Sequence, residues 1–166
     1  MGGRREEAQS LQLRSLICSW CYANYLIGLP SEVTNGRGEH SSDEIRVLFV
    51  EDDPTVAQMY RLKLELDGYR VIMARDGEEG LRLAAEVRPD LVFLDIRLPK
   101  MDGFVVLEKL RTCELTRHVP VVILSNYGEQ DLVDRGLKLG ALDYLIKSQT
   151  TPAHLSRSVE SWLRDG

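Results

Sequence analysis

From Ile45 onward the sequence alternates short apolar runs with stretches of helical periodicity, and this alternation constrains the fold more than any other feature. The runs at 45–50, 69–73, 91–94, 119–124 and 143–146 are rich in Val, Ile, Leu and Phe. That composition predicts strands covered on both faces. Between and after them, apolar residues keep helical spacing: Val56, Met59, Tyr60 and Leu64; Leu81, Ala84 and Ala85; Val106, Leu110 and Cys113; Leu132, Gly136 and Leu139; Leu155, Val159, Trp162 and Leu163. Asp53 before Pro54, Asp102 before Gly103 and Thr151 before Pro152 are helix-entry signals, and Gly68 and Gly140 sit where helices should stop. Five strands each followed by a helix imply a parallel sheet, right-handed crossovers and helices on both faces, an α/β architecture.

The remaining chain reads differently. Leu13, Leu16, Ile17, Trp20 and Cys21 follow i, i+3, i+4, i+7, i+8 spacing, which predicts an amphipathic helical extension within 1–30, closed by Gly28 and Pro30. Residues 31–44 are polar and Gly/Ser-rich, a linker, and leave 45–164 as the folded domain. The apolar stretch 16–30 is too short to span a bilayer, and Glu6 and Glu7 follow Arg4 and Arg5 where a secretory signal would continue apolar, so neither membrane nor export is expected. Three cysteines cannot close a disulfide framework, and a cytoplasmic location follows as the expectation. Cys18 and Cys21 have C-x-x-C form but lie outside a strand-to-helix context, and His40, His118 and His154 share no ligand spacing. A net charge of −5 argues against gripping a phosphate backbone and favours a cation as partner.

In an open parallel sheet, ligands bind beyond the carboxyl ends of the strands. The first run leads into Glu51, Asp52 and Asp53, the third into Asp95, the fourth into Ser125 and the fifth into Lys147. Carboxylates brought to one rim repel and call for a proton, a lysine or a metal. Mg²⁺ suits an incomplete oxygen set of this kind, keeping waters and a substrate phosphate in its shell. An aspartate beside such a cation can take up a phosphoryl group as an acyl phosphate, with a hydroxyl and an ammonium binding the phosphoryl oxygens. Asp53 fits the role of helix cap better than that of metal ligand.

The segment from Val47 to Pro54, the segment from Pro89 to Gly103, and Ser125 and Lys147 in order together resemble the receiver domain of two-component response regulators, over about 120 residues, 45–164. The resemblance implies a flavodoxin-like (βα)5 fold with strand order 2-1-3-4-5. It implies that Asp95 is the phosphoacceptor, served by a sensor histidine kinase or a histidine phosphotransfer protein, with Asp52 a direct Mg²⁺ ligand, Glu51 acting through water, and the backbone carbonyl of Arg97 completing the protein's share. Ser125 corresponds to the switch hydroxyl and Tyr144 to the switch aromatic. The chain departs from the pattern at Lys147-Ser148, where Lys-Pro with a cis bond is usual; a trans bond and an altered loop are expected, since a non-proline cis bond costs about 2.5–4 kcal/mol. Asn126 replaces a smaller residue. Arg97 and Tyr127 occupy positions that tune dephosphorylation in the family, and their bulk points to slowed attack by water.

The expectation that results is a single-domain response regulator, not a dedicated enzyme, with output through a protein partner or a phosphorelay and without direct DNA binding. That reading takes the end of the chain soon after the fifth helix, and its acidic balance, as leaving no DNA-binding module. A haloacid-dehalogenase-type phosphatase would need a second Asp where Arg97 stands, and a flavodoxin would need a phosphate-cradling loop in place of Glu51 to Asp53. A receiver-like binding module acting without phosphate is the remaining alternative.

Overall fold

The computed structural model describes residues 44–166; the expected helical extension in 1–30 and nearly all of the linker lie outside the described residues. Five parallel strands alternate with five helices: β1 Arg46–Val50, α1 Pro54–Leu66, β2 Arg70–Ala74, α2 Gly77–Val87, β3 Leu91–Leu94, α3 Gly103–Thr112, β4 Val121–Ser125, α4 Gln130–Lys138, β5 Asp143–Ile146 and α5 Pro152–Asp165. The strand order is β2-β1-β3-β4-β5, as in a flavodoxin-like sheet. Order therefore reverses beside β1, and the loops after β1 and β3 diverge to opposite faces, opening a crevice at their carboxyl ends.

Alternate side chains of each strand feed two cores. Leu48, Val50, Val92, Leu94, Val121 and Ile123 pack under α2, α3 and α4 with Leu81, Ala84, Phe104 and Leu107. Val47, Phe49, Leu91, Phe93, Val122 and Leu124 pack under α1 and α5 with Tyr60, Leu64, Leu155, Val159 and Trp162. The second core holds a run of rings: Phe49 stacks on Tyr60 at 5.4 Å, Phe49 meets Phe93 at 5.4 Å, and Phe93 meets Trp162 edge-on at 5.7 Å. Such contacts add to area burial and fix the seat of α1 and α5.

The expected helix signals are present. Asp53 Oδ1 accepts from the amides of Thr55 and Val56, Asp102 Oδ1 from Phe104, and Thr151 Oγ1 from His154. Gly68 (φ 93°) and Gly140 (φ 98°) end α1 and α4 in the left-handed region, and the Tyr69 and Ala141 amides close the turns on the Leu64 and Gly136 carbonyls. Two expectations shift. Met59 faces solvent, because the buried line of α1 runs through Ala57, Tyr60 and Leu64. β4 begins at Val121 because Pro120 has no N–H to give a ladder, although its carbonyl still accepts from the Val92 amide.

Candidate functional site

Four strand ends deliver the site. β1 runs straight into Glu51 and Asp52, β3 into Asp95, β4 ends on Ser125, and Lys147 follows β5. Oxygens of Glu51, Asp52 and Asp95 lie within 4.8 Å of one another; Glu51 and Asp95 are buried and Asp52 is exposed. Asp53 is not in this group and caps α1, as expected. Lys147 Nζ sits between the two buried acids, 2.5 Å from Glu51 Oε2 and 2.7 Å from Asp95 Oδ2. Its side chain is only 8 % exposed. Burial alone would lower the lysine pKa, but the hydrogen bonds and charges of Asp95 and Glu51 outweigh it and hold the ammonium above its ordinary value. Burial raises the Glu51 carboxyl in spite of Lys147.

The other carboxylate oxygens are held by backbone. The Asp53 amide donates to Glu51 Oε1 at 3.1 Å and the Arg97 amide to Asp95 Oδ1 at 3.2 Å. Gly103 permits the close seat of α3 under this loop: its amide bonds the Ile96 carbonyl, and a Cβ there would collide with the Asp95 carbonyl and Ile96 Cα. An open cleft of about 350 Å³ between α1 and β2 adjoins the acids, bordered also by Gln58, Arg61 and Arg75.

Ser125 and Tyr144 are joined through one intervening residue. The Tyr127 amide donates to Ser125 Oγ at 3.2 Å, and the Tyr127 carbonyl accepts from the Tyr144 hydroxyl at 2.7 Å. Ser125 is fully buried and Tyr144 is 9 % exposed. Gly136 makes room for that inward ring, since a Cβ there would press on Ile123 and the edge of Tyr144. The Tyr127 ring lies outside, 4.7 Å from the Arg97 guanidinium stacked over it, so the loops after β3 and β4 are in contact.

Three anchors had no place in the sequence reading. The Tyr60 hydroxyl donates to the buried Thr150 carbonyl at 2.8 Å, tying α1 to the loop that carries Lys147. That loop is a 3₁₀ turn, Lys147–Gln149, and no cis peptide occurs among the described residues, in line with the expected trans Lys147-Ser148 bond. Lys100 pairs with Asp76 at 2.7 Å, and Asp76 Oδ1 also caps α2 through the Glu79 amide. The Asp76 to Glu79 spacing is a capping-box signal that could have revealed this cap. The third anchor is the Arg97 to Tyr127 stack itself. Asn126 is exposed at the same rim.

The donor set fits a hard divalent cation: three carboxylates in reach of one point, two of them buried and sharing a single ammonium. No helix among the described residues is long and apolar enough to cross a membrane.

Comparison with known proteins agrees with this geometry. The sequence pattern of the response regulator receiver domain matches residues 47–160. The DNA-binding dual master transcriptional regulator RpaA of Synechocystis is 42 % identical over 113 residues, covering 68 % of this chain and 46 % of RpaA. The alkaline phosphatase synthesis transcriptional regulatory protein PhoP of Bacillus subtilis is 38 % identical, covering 72 % of this chain and 48 % of PhoP. Among solved structures, a CheY-like receiver domain protein of Methanospirillum hungatei superposes with a TM-score of 0.68 at 28 % identity, over 74 % of this chain and 95 % of that one. The receiver domain of sensor histidine kinase PA1611 of Pseudomonas aeruginosa, which has a magnesium ion coordinated in its active site cleft, gives 0.67 at 32 % identity, over 73 % of this chain and 98 % of that one.

These relatives correct one expectation. Exclusion of DNA binding does not hold, because RpaA is a DNA-binding regulator and this chain spans about half the length of the curated relatives it matches. The overall charge of a chain carries no information about a module outside the matched region, so the acidic balance was the wrong ground for the exclusion. With the family pattern covering well over half its length and the strand order and acidic rim in place, the chain belongs to the response regulator receiver family.

Proposed function

We propose that Asp95 accepts a phosphoryl group from a phosphohistidine, on a histidine kinase or a histidine phosphotransfer protein. The observation that carries this reading is the Lys147 ammonium shared between buried Asp95 and Glu51, with Asp52 alongside. An Asp95 carboxylate oxygen forms the new O–P bond as the donor's N–P bond breaks, and the imidazole leaves with the electron pair and is protonated by solvent. Glu51, Asp52, Asp95 and the Arg97 backbone carbonyl would hold Mg²⁺, which offsets negative charge and orients the phosphoryl oxygens when bound. Lys147 turns from Asp95 to a phosphoryl oxygen and remains paired with Glu51, so the transfer does not strand a buried cation.

Ser125 donates its hydroxyl proton to another phosphoryl oxygen. That rotation alters the Oγ bond to the Tyr127 amide, and the Tyr127 carbonyl is the acceptor of the Tyr144 hydroxyl. The charge change at Asp95 is thereby passed along one residue of backbone to Tyr144 and to the face formed by α4, β5 and α5. The Arg97 and Tyr127 stack joins the loops that follow Asp95 and Ser125, and its bulk slows attack by water on the acyl phosphate.

Intact mass after incubation with Mg²⁺ and a small acyl phosphate tests the reading. One added phosphoryl group, absent without Mg²⁺ and absent in Asp95→Asn, supports it; no gain under conditions that label another receiver domain overturns it.

A further inference from the structure

Among the described residues, five large apolar side chains are exposed: Met59, Leu62, Leu66, Tyr127 and Leu137. Tyr127 is stacked by Arg97, and Leu137 stands alone on α4. The other three are all on α1, at i, i+3 and i+7, on the side opposite its buried line of Ala57, Tyr60 and Leu64. Leu66 is 82 % exposed. Two ion pairs, Arg61 with Glu65 and Lys63 with Asp67, run along the two flanks of this line, each an i,i+4 pair. Isolated exposed apolar residues are ordinary, but a continuous apolar line with a charged border on each side is the pattern of a contact surface.

The chain itself supplies an occupant. We propose that residues 13–21 dock on the Met59, Leu62 and Leu66 line of α1 in the same molecule. The i, i+3, i+4, i+7, i+8 spacing of Leu13, Leu16, Ile17, Trp20 and Cys21 would place them on one apolar face of a helix, and such a face requires cover. The Arg70 amide bonds the Ile45 carbonyl at 2.9 Å, so the chain enters the domain beside the turn that follows α1, at the Leu66 end of the line. The linker can reach: the 14 residues of Gly/Ser-rich chain at 31–44 span about 20 Å root-mean-square, and 13 helical residues, the length of α1, extend about 20 Å. An intramolecular partner tethered at that distance is present at far higher effective concentration than a second copy.

The two tryptophans report the contact in the full chain. Trp162 is buried, so added acrylamide quenching arises from Trp20. Both tryptophans are expected to be shielded in the native chain. Leu62→Glu with Leu66→Glu, and separately Ile17→Glu, should each make one of the two quenchable and shift the emission to the red, with circular dichroism of the folded domain unchanged; Leu137→Glu should not. Hundredfold dilution should leave the shielding in place. Quenching of Trp20 in the native chain, shielding that survives the α1 substitutions, release by Leu137→Glu, or loss of shielding on dilution, which would assign the cover to a second copy, each overturns the proposal.

Discussion

Lys147→Met keeps the length and apolar stem of the side chain while removing the one ammonium between Glu51 and Asp95. The oxygens of these two acids are within 4.8 Å, and both side chains are under a tenth exposed. Two unit charges about 5 Å apart repel by about 3 kcal/mol at an effective dielectric near 20, and stripping one partner from a buried ion pair costs a similar amount. Without metal, the variant should therefore lose about 3 kcal/mol at pH 7.5, a fall of about 1.5 M in the urea midpoint. The sign with pH follows from Glu51. Its folded pKa already stands above the ordinary 4.5, so its ionisation costs stability as pH rises through that range, and removal of Lys147 enlarges the cost. The deficit should shrink as pH falls toward 5. Asp95→Asn removes one of the opposed charges, so the double variant should recover most of the loss, and Mg²⁺ should restore part of it to the single variant. Urea titrations followed by circular dichroism in EDTA, across pH and in the four backgrounds, measure each value. Equal midpoints for wild type and Lys147→Met at pH 7.5, with no rescue by Asp95→Asn, would refute the assignment of Lys147 as the counter-ion.

Tyr60→Phe keeps the stack on Phe49 but leaves the buried Thr150 carbonyl without its donor, and thermal melts should show a loss of about 1–3 kcal/mol. Gly103→Ala forces a methyl against the Asp95 carbonyl; overpacking against backbone should cost about 1–3 kcal/mol in the same assay and lower phosphoryl uptake. Asp76→Ala should cost about 1 kcal/mol at pH 7 through the lost α2 cap. The Glu79 amide, then Lys100, holds the Asp76 pKa below its ordinary 3.8, so its charge-dependent contribution is present above that value and lost as pH falls through the folded one; melts of wild type and variant should converge in acid. Tyr127→Ala removes an exposed cation–π contact of about 0.5–1 kcal/mol, and the acyl phosphate should decay about two- to fivefold faster by mass spectrometry.

The sheet was legible because β3 and β4, buried on both faces, and the buried part of β1 leave continuous apolar runs, and because Asp53, Asp102 and Thr151 mark helix entries chemically. Helical spacing said less about α1, which is apolar on two sides. Ala57 is too small to register as a core residue, whereas Met59 and Leu62 are large and face outward. The acidic rim was legible for a topological reason: parallel strands end at one edge, so the residue after each run is placed by the run itself. Contacts between loops follow no such rule. Arg97 and Tyr127 are 30 positions apart, and Tyr60 and Thr150 are 90 apart, so nothing in local spacing pairs them. The Tyr127 backbone bridge between Ser125 and Tyr144 is likewise a product of packing, made possible where Gly136 leaves room for the ring.

Asp95 is the expected seat of the phosphoryl group. Borohydride reduction converts an aspartyl phosphate to homoserine, so the chain treated with Mg²⁺ and a small acyl phosphate, then reduced and digested, carries the label in its sequence. Homoserine at position 95, and at no other acid of the rim, is the predicted result. Homoserine at position 52, 5-hydroxynorvaline at position 51, or an unmodified Asp95 in a chain that has gained phosphate would contradict the account.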